Sequence, residues 1–86
     1  MKILIKNNIL IFKQLGKSPS LEEIKELKIN YENSVGKNYP YVLFTNILGY
    51  FSGYNFETNR SIYCGCLSEA QAIQSMLEYI NDSNDD

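Results

Sequence analysis

Residues 2–13 read KILIKNNILIFK, two apolar runs, Lys2–Lys6 and Ile9–Lys13, on either side of Asn7-Asn8. Asparagine tolerates the left-handed backbone that a two-residue type I′ turn demands at both central positions, so the stretch predicts a β-hairpin. Opposing Lys6 with Ile9 and Lys2 with Lys13 places Ile3, Ile5, Leu10 and Phe12 on one face, which is wholly apolar, as a core-facing surface is. Lys2, Leu4, Lys6, Ile9, Ile11 and Lys13 share the other, where the lysines discourage edge-to-edge association.

Beyond the hairpin the period becomes helical. Ser18 precedes Pro19 as an N-cap precedes a first-turn proline, and Ser20 with Glu23 forms a capping box two residues later; either starts a helix. Leu21, Ile24, Leu27, Tyr31 and Val35 recur at helical spacing up to Gly36, a natural stop, so a helix is expected over about 19–34. Glu22, Glu23, Lys25, Glu26, Lys28 and Glu32 are expected on its solvated side.

From Tyr39 the pattern becomes extended, with strands near 40–47, 50–56 and 61–67 and turns at Leu48-Gly49 and 57–60. Ser68 and Gln71 form a second capping box, and Ala70, Ile73, Met76, Leu77 and Ile80 make the buried stripe of a helix near 69–81. The chain therefore reads as one α+β domain over residues 1–81. A small antiparallel sheet carries two helices packed on one face, in the order β-β-α-β-β-β-α. Residues 82–86, polar and acidic at the negative end of the last helix, are expected to fray.

From residue 19 onward this α-β-β-β-α order resembles that of double-stranded-RNA-binding domains. The resemblance is one of topology. That family presents lysines to phosphates at the start of its final helix. The matching segment here is Leu67-Ser68-Glu69-Ala70-Gln71, with a glutamate and no base, so RNA binding does not carry over.

Composition narrows the chemistry. At 86 residues and 9.9 kDa the chain allows one small domain, which buries only about 60–65% of the surface its unfolded form exposes. Histidine is absent, and with it go the usual general base and the commonest metal ligand. A nucleophilic serine or cysteine lacks its customary activator. Glu22-Glu23 and the terminal aspartates sit where geometry is hard to hold. Gly49, Gly53 and Gly65 have neither the spacing nor the lysine of a phosphate loop. Cys64-Gly65-Cys66 is too short-spaced for an unstrained disulfide and lacks partners for zinc, so it reads as packing beneath the last helix. No enzyme activity, cofactor or metal is expected.

The N-terminus shows no signal-peptide pattern and the two cysteines make no disulfide scaffold, which predicts a cytoplasmic, reduced protein. Residues 38–56 carry no charge, but Pro40, Gly49, Gly53 and several polar side chains exclude a membrane span. Asn, Ile, Lys and Tyr are favoured and alanine occurs only at 70 and 72. Such usage follows A/T-rich codons and suggests a bacterial, phage or plasmid gene.

Two distributed features bear on function. Residues 1–37 hold seven lysines and four glutamates, net +3, whereas residues 38–86 hold one arginine and six carboxylates, net −5. Seven tyrosines are present; on strands, Tyr50, Ser52 and Tyr54 share a face that Tyr63 joins from a neighbour, and tyrosine is favoured at binding surfaces. The expected function is a small non-enzymatic protein-binding module, an inhibitor of the phage or mobile-element type, anti-CRISPR proteins included. Tyr50, Tyr54 and Tyr63 would anchor it, and Glu69, Glu78 and Asp82 would meet a basic, nucleic-acid-binding surface on the partner protein. The competing expectations are direct nucleic-acid binding through the lysine hairpin, disfavoured by a pI near 5.0, and a homodimeric structural or adaptor protein.

Overall fold

Asn7 and Asn8 both adopt left-handed backbone, φ 54° and 63°, and the turn they make sets the register of the strands it joins. The computed structural model describes residues 1–66 and 68–83. Strand β1 (Lys2–Lys6) pairs antiparallel with β2 (Ile9–Lys13), Lys6 opposite Ile9 and Lys2 opposite Lys13, the pairing that the sequence predicts. Helix α1 (Leu21–Val35) follows, then β3 (Tyr41–Thr45), β4 (Phe51–Asn55), β5 (Arg60–Cys66) and helix α2 (Glu69–Ser83). The fold is α+β with the expected element order.

Of the two candidate starts for α1, the second operates. Ser20 is the N-cap, its Oγ accepting from the Glu23 amide while the Glu23 carboxylate accepts from the Ser20 amide. The helix ends at Gly36, whose φ of 71° lets its N–H donate to the Glu32 carbonyl. At α2 the Gln71 amide donates to Ser68 Oγ. Residues 84–86 of the expected tail lie outside the described residues.

Two expectations about layering are corrected. The five strands form one sheet in the order β1-β2-β3-β4-β5, but β2 and β3 run parallel, with Leu10, Ile11 and Phe12 opposite Val42, Leu43 and Phe44. The sheet is mixed rather than antiparallel because α1 is a crossover: it carries the chain back along one face, and the next strand starts from the same end as the last. The helices, moreover, cover opposite faces. Leu10, Phe12 and Val42 pack with Ile24 of α1, whereas Ile9, Ile11, Leu43, Phe51 and Ile62 pack with Ala72 and Met76 of α2. The unbroken run Ile9-Leu10-Ile11-Phe12 is the cause, since alternate residues point to opposite faces. All four are 0% exposed, so β2 has a core on each side.

The helical stripes shift accordingly. Ala72, rather than Ala70, is buried beside Met76, with Ile73, Tyr79 and Ile80 along the same side of α2. Lys28 and Glu32, expected in solvent, turn inward on α1. They form an ion pair of 3.0 Å with side chains only 11% and 13% exposed. The Lys28 ammonium lies 5.4 Å from the centre of the Phe56 ring, and Glu32 accepts the Tyr39 amide at 2.6 Å. At the far edge, β5 is irregular: Gly53 pairs with Ile62 but Phe51 with Cys66, so β5 holds two extra residues there, and Gly65 adopts φ 54°. Cys66 packs on the α2-side core, in keeping with a packing role; the side chain of Cys64 lies outside the described residues.

Candidate interaction surface

The parallel strands β2 and β3 end together, and beyond them the 14–20 loop meets the β3–β4 turn. Asn46 builds that turn. Its Oδ1 accepts from the amides of Leu48 and Tyr50 at 2.9 and 3.0 Å, its N–H donates to the Tyr50 carbonyl, and its own carbonyl accepts from Gly49. Gly49 supplies the positive φ, 88°, that so tight a reversal needs. The Ile47 amide donates to Ser18 Oγ at 3.1 Å, tying the turn to the neighbouring loop.

This scaffold pushes apolar side chains outward. Leu48 is 73% exposed, Ile47 61% and Tyr50 41%. Next to them opens a cleft of about 510 Å³, with Leu15, Phe51 and Thr45 along it and Lys13 and Glu69 on one wall. Its volume falls in the range of about 300–1,000 Å³ over which ligand sites occur.

Glu69, in the first turn of α2, accepts Lys13 Nζ at 2.8 Å and also pairs with Lys6. The bond from Lys13, then that from Lys6, hold its carboxyl below the ordinary value of 4.5, against the opposing effect of burial. A depressed folded-state pKa contributes stability that is fully present above the unfolded value and is lost as pH falls through the folded one. Thermal melts of wild type and Glu69→Gln are therefore expected to differ by on the order of 1 kcal/mol at pH 7 and to converge as pH falls through the lowered folded-state value of this carboxyl. A gap that persists at low pH would show that the carboxylate contributes little as a charge.

The structure separates the residues singled out from sequence. Tyr50 stands at the exposed turn. Tyr54 is half-buried on the α1 side, opposite Val42, its ring 4.6 Å from that of Phe56. The Tyr63 side chain lies outside the described residues. Glu78 and Asp82 are exposed on α2, one turn apart, while Glu69 lies about half a turn round the helix from Glu78 and points to the hairpin lysines. Tyr54 and the α2 carboxylates thus occupy opposite sides of the sheet, and the oppositely charged halves of the chain meet at Glu69.

Ile47 and Leu48 were not singled out from sequence. Their signal was present, two large aliphatics directly before a turn glycine, but it merged with the end of the preceding apolar strand. Among the described residues no cluster of three potential metal ligands occurs, and no helix is long and apolar enough to cross a membrane. No family model, curated protein or solved structure matches the chain, so its likeness to double-stranded-RNA-binding domains remains one of element order.

Proposed function

We propose that this chain is a small, non-enzymatic protein-binding module that docks on its partner through the turn bearing Ile47, Leu48 and Tyr50. The observation that carries this reading is the exposure of two aliphatic side chains on a backbone already held by Asn46. An anchor presented on an ordered turn loses little conformational freedom on binding, and such residues dominate interface energies. Glu78 and Asp82, exposed farther along α2, add negative charge that would favour encounter with a basic partner surface more than final affinity. Glu69 offsets part of the positive charge of Lys6 and Lys13, which weighs against the alternative of a phosphate-binding hairpin. The finer reading, a cytoplasmic inhibitor of the phage or mobile-element type, rests on small size, acidic balance and codon-driven composition.

The test is a tagged pull-down from host lysate, with and without nuclease, using wild type and Leu48→Asp. A stoichiometric protein partner that survives nuclease, and whose affinity drops about tenfold or more in the variant, supports the reading. Because Leu48 is exposed, the melting temperature is expected to stay unchanged. Recovery that vanishes with nuclease, or equal binding by the variant, overturns it.

A further inference from the structure

The two edges of the sheet are not alike. The β5 edge is broken by its two extra residues and by Gly65 in left-handed conformation, a disruption of the kind that blunts an edge against further pairing. The β1 edge is a regular five-residue strand without bulge or proline, and among the described residues no strand pairs with its outer side. In a two-residue hairpin the residues flanking the turn exchange both backbone hydrogen bonds, and the pattern then alternates along the ladder. Lys6, Leu4 and Lys2 therefore direct their backbone groups to β2, and those of Ile3 and Ile5 point outward.

The side chains along this edge are sorted by face. Leu4 packs toward the α2-side core, so Lys2 and Lys6, at alternate positions, share that side. With Lys13 they make three ammonium groups, which among the described residues meet one carboxylate, Glu69. Lys2 also stands directly opposite Lys13, a like-charge pairing that costs stability in a sheet. On the α1 side, Ile3 and Ile5 are each 38% exposed. The edge thus offers unpaired backbone groups, excess positive charge on one face and half-covered aliphatic surface on the other.

We propose that β1 receives an extended segment of a partner protein in which carboxylates and aliphatic side chains alternate, adding a sixth strand to the sheet. The carboxylates would lie over Lys2 and Lys6, and the aliphatic residues would cover Ile3 and Ile5; backbone pairing supplies affinity and the alternation supplies register. A second copy of β1 fits less well. The segment Lys2-Ile3-Leu4-Ile5-Lys6 is palindromic, so antiparallel self-pairing centred on Leu4 sets Lys2 against Lys6 of the other copy, twice. The surface is separate from the Ile47–Tyr50 turn, and this inference does not depend on the function proposed for that turn.

The probe is a short synthetic peptide alternating glutamate and valine, with a lysine–valine peptide of equal length as control. Fluorescence anisotropy is expected to show saturable binding of the first that weakens about tenfold with the control peptide or in Lys2→Glu. Amide exchange is expected to slow at Ile3 and Ile5 on binding, with Leu4 unaffected. No binding at about 1 mM peptide, or equal binding of both peptides, overturns the proposal. So does concentration-dependent protection of Ile3 and Ile5 without peptide, which would assign the edge to a second copy of the chain.

Discussion

Phe12→Ala is expected to remove about half of the stability of the fold. Phe12 is fully buried on β2, against Leu10, Val42 and Ile24 and with Phe44 opposite in register. Removing a buried phenylalanine side chain costs about 3–5 kcal/mol, because the lost transfer energy is joined by the cavity left behind. A domain of this size is stable by only about 4–13 kcal/mol, and small domains sit low in that range. The urea midpoint should fall by roughly half with the slope of the transition unchanged. Ile11→Ala, on the opposite face of the same strand, should cost about 2–5 kcal/mol, because that face has a core of its own. Were the sheet buried on one side only, one of the two substitutions would be nearly silent, so the pair tests the two-sided architecture directly.

The second large effect is expected at the Lys28–Glu32 pair. Glu32→Gln leaves a buried ammonium facing a neutral amide and the Phe56 ring. Breaking a buried pair from one side costs about 3–5 kcal/mol, most of it the desolvation of the charge left behind. Glutamine still presents an oxygen to the Tyr39 amide, so the loss reports on the charge and not on that hydrogen bond. Lys28→Met combined with Glu32→Gln should regain most of the stability, because the stranded charge is then gone. Thermal melts of the two single variants and the double variant decide the matter. A loss below about 0.5 kcal/mol in Glu32→Gln would mean that water screens the pair as it does on a surface.

Both expectations arise where sequence and structure part company, and the division has a physical basis. What was legible was local. Asn7-Asn8 set the hairpin and its register, Ser20 with Glu23 set the start of α1, and Gly36 set its end; each signal acts within a few residues. What was not legible required knowing which strand lies beside which. The sequence of β2 fits a one-sided hairpin if only β1 is considered, and its four consecutive aliphatic and aromatic residues make sense only once β3 is alongside. The same applies to Lys28. Helical spacing places it beside Ile24, yet its charge argues for solvent, and only the neighbouring Glu32 and the Phe56 ring draw it inward. The exposed pair Ile47-Leu48 was obscured for the opposite reason, since hydrophobicity alone does not say whether a side chain covers a core or stands clear of one. Of the residues proposed from sequence for partner contact, Tyr50 adjoins that exposed pair, whereas Glu69 is occupied within the chain.

The parallel joint between β2 and β3 also shapes how the chain reaches its fold. Residues 1–13 close on themselves as a hairpin, and residues 41–66 form a meander of adjacent strands; both halves consist of contacts near in sequence. Among the strand pairings of the described residues, the β2–β3 seam alone joins positions some thirty residues apart, Leu10 with Val42 and Phe12 with Phe44. Closing that loop must precede the contacts that reward it. Assembly of the sheet therefore waits on the zipping of three residue pairs at its middle, and α1, once formed, shortens the distance between them.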